Sequence, residues 1–110
     1  MYNNSMKWTF DSYLAYQLQG LSFINGGRFT SMDVNRYFGT PTVSMRNRQE
    51  KIAKLYKEEF NTSGHWEWNS FNDRIHSHLN RVVKSAGGTR QKIQNKWVYS
   101  LSADGFITGA

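Results

Sequence analysis

Apolar residues recur at three- and four-residue spacing in four separate stretches of the chain, which predicts four helices. In the first, Phe10, Tyr13, Leu14, Leu18, Leu21 and Ile24 share a face, with Thr9 as the expected cap and Gly26-Gly27 as the stop. Gly20 weakens this helix from within. Arg28-Phe29-Thr30 then reads as a short extended piece. Ser31 is the expected cap of a second helix over 32–38, ended by Gly39, with Val34, Tyr37 and Phe38 facing inward. Pro41 marks a turn and the boundary of a third helix, Val43 to Phe60. Its stripe is Met45, Ile52, Tyr56 and Phe60, with Leu55 and Ala53 at the margins.

Asn61 to Gly64 is a loop, and residues 65–68 read either as a short strand or as an aromatic plug. Asn69 or Ser70 caps the fourth helix, which runs to Ala86 and stops at Gly87-Gly88. Its periodicity is the cleanest in the chain. Phe71, Ile75, Leu79, Val82, Val83 and Ala86 form one stripe; Arg74, Ser77, Arg81 and Lys84 lie opposite, with His78 and Ser85 at the edge. Beyond the glycines the period falls to two. Residues 89–93, a tight turn at Gln94-Asn95 and residues 96–101 predict a β-hairpin, with Trp97, Tyr99 and Leu101 on one face. Phe106-Ile107 is the candidate for a last short strand.

The expected fold is therefore mainly α with a small β-hairpin, an α+β class. The expected organisation is a flexible arm over 1–8 anchored by Trp8, a single domain over 9–103 and a tail over 104–110. Aromatic residues make up 15% of the 110 and proline occurs once, a composition that folds. The large side chains Trp66, Trp68, Trp97 and Tyr99 are assigned to the core in preference to base stacking.

Charge changes the picture more than composition does. Between Arg74 and Ala103 stand six basic side chains and no Asp or Glu, whereas residues 1–73 hold eight Lys/Arg against seven Asp/Glu. The net charge of +6 thus sits almost wholly in one window. A concentrated field of one sign suits a polyanion, because each neutralised phosphate releases condensed counterions. The third helix differs. Arg46–Glu50, Glu50–Lys54 and Lys54–Glu58 are each four apart, a solvated ladder, and only Arg46, Asn47 and Arg48 lack an acid beside them.

Several chemistries are disfavoured. The absence of cysteine excludes disulfides, Cys-based zinc sites and thiol catalysis. His76 and His78 are two apart, so on a helix they point about 200° from each other, and no carboxylate cluster joins them. No metal and no cofactor is expected. His65, Asn69 and His76 or His78 resemble a His-Asn-His nuclease pattern only loosely, Glu67 has no lysine two residues on, and no phosphate-cradling glycine loop is present. The chain is read as not an enzyme. No apolar run is long enough to span a bilayer and no signal-peptide pattern opens the chain, so no membrane partner and a cytoplasmic, nucleoid-associated location are expected.

Two segments resemble the winged helix-turn-helix family of DNA-binding domains. Phe29-Thr-Ser-Met-Asp-Val-Asn-Arg-Tyr-Phe-Gly39 is similar to the strand and second helix of such domains. Ile75-His-Ser-His-Leu-Asn-Arg-Val-Val-Lys-Ser85, with the glycines and Lys-Trp-Val-Tyr-Ser-Leu101, is similar to a recognition helix running into its wing. The resemblance implies a winged helix-turn-helix with an extra helix, because about thirty residues separate the two segments. It implies duplex DNA as partner, with a possible homodimer. Arg74 and Arg81 become the candidate base readers, Ser77, His78 and Asn80 secondary contacts, and Lys84, Arg90, Lys92 and Lys96 phosphate contacts. The alternative recognition helix is the one that begins near Thr42, with Arg46 and Arg48 as its cations.

The leading functional expectation is a sequence-specific DNA-binding protein, a small transcriptional regulator or repressor. An RNA or single-strand binding module and a phage- or mobile-element-like accessory protein that acts on another protein remain open beside it.

Overall fold

The computed structural model describes residues 7–39, 43–60 and 68–102, with side chains over 7–39, 46–60 and 73–102. Four helices are present among them: α1 (Phe10–Ile24), α2 (Ser31–Gly39), α3 (Val43–Phe60) and α4 (Trp68–Ser85). Three short strands, β1 (Arg28–Thr30), β2 (Thr89–Ile93) and β3 (Lys96–Ser100), form one antiparallel sheet in the order β1-β3-β2.

Local chemistry sets the helix ends. At α1, the Thr9 hydroxyl accepts the Ser12 N–H at 3.1 Å and the Ser12 hydroxyl accepts the Thr9 N–H at 2.9 Å, a reciprocal capping box. At α2 the expected cap was Ser31, but Thr30 performs it. Thr30 N–H reaches Asp33 Oδ2 at 2.8 Å, and the Asp33 N–H returns to the Thr30 hydroxyl at 3.3 Å. Helix α4 begins at Trp68, ahead of the expected Asn69 or Ser70 cap, so Trp68 opens the helix rather than ending a strand. The loop and aromatic segment over 61–67, and Phe106-Ile107, lie outside the described residues.

The two glycine pairs act alike. Gly27 N–H bonds the Ser22 carbonyl and Gly88 N–H bonds the Val83 carbonyl, each at 2.8 Å, with Gly26 and Gly87 at φ 73° and 86°. Each is a left-handed helix stop that turns the chain directly into a strand, β1 after α1 and β2 after α4. Strand β3 lies between them, pairing Phe29 with Tyr99 on one side and Lys92 with Trp97 on the other. Gln94 and Asn95 have φ of 51° and 65°, the two-residue hairpin turn that matches strand twist.

The core fills the space between the helices and one face of this sheet. Phe10, Leu14 and Leu18 of α1, Val34 and Phe38 of α2, and Ile52 of α3 are fully buried. From α4, Ile75, Leu79, Val82 and Val83 join them, with Ala86 half-buried at the margin; these are the expected stripe apart from Phe71, whose side chain lies outside the described residues. Phe29 stacks on Tyr99 with ring centroids 5.4 Å apart, carrying the core onto the sheet. Trp8 docks half-buried against the rings of Tyr13 and Tyr16. The buried Ser22 hydroxyl donates to the Leu101 carbonyl, and Leu101 N–H donates to the Gly27 carbonyl at 3.1 Å, so the end of β3 is tied to the end of α1.

Three residues assigned to apolar stripes are exposed instead. Ile24, the last residue of α1, is 67% exposed, and Phe60, the last residue of α3, is 40% exposed. Trp97 is also 40% exposed. β1 pairs only with Val98 to Ser100, so Trp97 is the first β3 residue past the three-stranded part. From there the hairpin projects as a two-stranded ribbon.

Candidate nucleic-acid interface

α4 and the hairpin carry the cationic window, and the Gly87-Gly88 stop joins them without an intervening loop. Gly88 is required there: a Cβ on it would lie 2.5 Å from the Ser100 carbonyl oxygen and 2.7 Å from Val83 Cγ1. α4 and β3 are therefore in close contact at their junction, which fixes the hairpin relative to the helix.

On α4, Arg74, Ser77, Arg81 and Lys84 are all exposed, as the helical period requires. They are not equivalent. The Ser77 hydroxyl donates to the Arg74 carbonyl at 2.7 Å, which holds it against its own helix. Arg81 forms a two-point ion pair with Asp11 of α1, Nη2 lying 3.0 Å from Oδ1, and this bond raises the guanidinium pKa further. The stretch without acids in the sequence therefore meets an acid from α1 in space. Lys84 is exposed with no ion pair among the described residues.

His78 sits at the inner edge of that face, packed against Phe10, Tyr56 and Phe60 at centroid distances of 5.1–5.7 Å. Its Nδ1 lies 2.9 Å from Arg81 Nη2. A guanidinium only donates, so Nδ1 is the acceptor and the ring is neutral, protonated at Nε2. Burial, first, and the Arg81 charge, second, lower its pKa; Asp11 opposes them. Asn80 is half-buried, and its Oδ1 is enclosed without a hydrogen-bond partner among the described residues.

His76 turns to the other side. Its Nε2 is 2.6 Å from Asn35 Oδ1 of α2, and burial lowers its pKa, against the pull of Asp73. The two histidines thus contact different helices, and no group of three or more His, Cys, Asp or Glu that would hold a metal occurs among the described residues. The Asn35–His76 contact also joins helices 41 residues apart, so α2 and α4 meet although α3 separates them in the chain.

The hairpin presents Arg90 and Lys92 on the face of Tyr99 and Trp97. The Arg90 guanidinium carbon lies 3.7 Å from the Trp97 ring centroid and Lys92 Nζ lies 5.6 Å from it, cation–π contacts on an exposed ring. Lys96 is exposed beside the turn.

The other candidate cations, on α3, divide in the same way. Arg46 is exposed. Arg48 is half-buried, stacked 4.0 Å over the Tyr37 ring, with Nη2 donating to the Tyr37 carbonyl at 3.1 Å. Gln49 donates to the Phe38 carbonyl beside it. Arg48 and Gln49 thereby satisfy carbonyls at the C-terminal end of α2, where a cation also suits the helix dipole.

Sequence reasoning missed Asp11, Asn35 and the exposure of Trp97. Asp11 is one acid among eight, and nothing local ties it to Arg81, 70 residues away. For Trp97 a signal existed: β1 has room for only three residues between Gly27 and α2, too few to back the whole of β3. No protein-family model, curated protein or solved structure matches this chain.

Proposed function

We propose that this chain binds double-stranded DNA sequence-specifically, with α4 in the major groove and the β2–β3 hairpin beside it, as a small transcriptional regulator of the winged helix-turn-helix type. The observation that carries the reading is the junction at Gly87-Gly88, which joins the polar face of α4 directly to a ribbon bearing Arg90, Lys92 and Lys96. The element order and the β1-β3-β2 sheet add to the resemblance, and the Asn35–His76 contact brings α2 beside α4, as a helix-turn-helix pair requires. In this reading α3 is the extra helix. Arg48, stacked on Tyr37 and bonded to its carbonyl, speaks against α3 as the reading helix.

Lys84, Lys92, Lys96 and Arg90 are the phosphate contacts in this proposal, and Arg74, Ser77 and Arg81 face the bases, Arg81 after exchanging Asp11 for its new partner. Asn80, half-buried with its Oδ1 enclosed, stands at the edge of that face. The exposed Trp97 favours a second reading, an unpaired strand stacked on its ring. Selection of bound duplexes from a random pool separates the two. Enrichment of a motif that is lost with Arg74→Ala plus Arg81→Ala supports the regulator. A pool that stays unenriched while single strands bind overturns it.

A further inference from the structure

We infer that the cleft between the hairpin turn and the start of α2 seats the sugar–phosphate backbone of one DNA strand, with Lys96 at the phosphate inside it. Trp97, the wall between the cleft and Arg90, is the positioning residue that presents Arg90 to the neighbouring phosphate of the same strand. The inference rests on the duplex-binding reading and adds a residue that the charge pattern alone does not select. The cleft, about 270 Å³, is lined by Thr30, Ser31, Met32, Asn95, Lys96 and Trp97. Its chemistry is two-fold. Met32, 54% exposed, and the open part of Trp97 give apolar surface; hydroxyls, an amide and an ammonium give hydrogen bonds and positive charge. A deoxyribose has apolar C–H edges and its phosphate is an anion with several acceptors, so the two halves of the lining match the two halves of a nucleotide backbone.

No carboxylate lines the cleft among the described residues. The acid on the adjoining turn, Asp33, is engaged by the Thr30 N–H and hydroxyl and by Arg36 at 3.5 Å. On the other flank of Trp97, Arg90 lies over the indole. Stacking uses the flat face of the guanidinium and leaves its N–H edges for an acceptor, and it orders a long side chain before the ligand arrives. A tryptophan placed one residue past the reach of β1 stabilises the core little. Its position makes sense as the wall of a site whose occupant comes from outside.

The test uses the full chain and a fluorescein-labelled duplex chosen by selection, or a random-sequence duplex at low salt if none is enriched. Binding by anisotropy is measured for the wild type, Trp97→Ala, Trp97→Phe and Arg90→Lys across a salt series. Trp97→Ala is expected to weaken binding by about tenfold and to make the salt slope shallower by about one, because the Arg90 phosphate contact is lost with its support. Trp97→Phe keeps a ring and recovers most of the affinity. Arg90→Lys keeps the charge yet loses several-fold, since an ammonium does not stack as a guanidinium does. Thermal melts establish that each variant is folded. Wild-type binding with unchanged affinity and slope in Trp97→Ala and Arg90→Lys overturns the inference and leaves the duplex reading standing. A wild-type chain that binds no duplex overturns that reading, and the inference with it.

Discussion

Arg81 of α4 holds the Asp11 carboxylate of α1 with both terminal guanidinium nitrogens, and the same Nη2 reaches His78 Nδ1 at 2.9 Å. One cation thus joins the first helix to the last and, together with burial, favours the neutral form of a neighbouring imidazole. The pair is about half exposed on both sides, so its contribution to stability is small, on the order of 0.5 kcal/mol. Its larger consequence is electrostatic, because it places a carboxylate on the face proposed to meet DNA.

Asp11→Asn should therefore separate the two roles. The urea midpoint is expected to fall slightly, whereas duplex affinity at moderate salt should rise several-fold, because the guanidinium is released and a like charge to phosphate is removed. Equilibrium unfolding and anisotropy titration on the same preparation check it. An affinity that falls would show Asp11 to be needed to orient Arg81.

Acid should weaken the fold through His78 and His76. Both pKa values lie below the ordinary 6.5 in the folded chain, with burial the main cause. The unfolded chain then binds more protons than the folded one as pH falls below about 6.5, so stability is fully present above that value and declines on acidification through it. The groups facing His78 are Arg81 and Asp11, with the rings of Phe10, Tyr56 and Phe60 around it. Thermal midpoints between pH 7.5 and 5 are expected to drop. In His78→Phe, which keeps the ring packing without the titrating nitrogen, the dependence should be shallower.

Gly88→Ala should be among the most damaging small substitutions in the chain. The new methyl would meet a backbone carbonyl and two core side chains at once, an overpacking cost of about 1–3 kcal/mol. Gly26→Ala meets nothing within 4 Å and carries only the left-handed backbone penalty at φ 73°, about 1 kcal/mol. Denaturant midpoints of the two variants give the ranking. Equal midpoints would mean that the hairpin shifts to make room.

The cations should fall into two classes. Arg48→Ala removes a side chain that stacks on Tyr37 and donates one hydrogen bond to its carbonyl, and is expected to cost about 1–2 kcal/mol of stability, with duplex affinity of the folded protein unchanged. Lys92→Ala and Lys96→Ala should leave the melting temperature nearly unchanged. Each should lower affinity for all duplex sequences and reduce the salt slope by about one. Melting curves and salt-dependent titrations distinguish the classes directly.

The sequence by itself determined the elements. Spacing placed α3 at Val43–Phe60, the glycine pairs placed both helix stops, and the change from a helical to a two-residue period located the hairpin and its turn. These are local matters: caps, left-handed glycines and amphipathic periods act within a few residues, so the chain states them openly. The stripe of α4 was legible for the same reason. The positions of Ile24 and Trp97 were not, since burial depends on how far a neighbouring element extends, and here α1 stops and β1 is short. Only the tertiary structure decided what each cation does. Arg48 became a packing group, Arg81 an ion-paired one and Arg90 a stacked one, because Tyr37, Asp11 and Trp97 are brought to them by folding. Charge acts through space at distances that chain separation does not record, and so a window without acids in the sequence became a face with one.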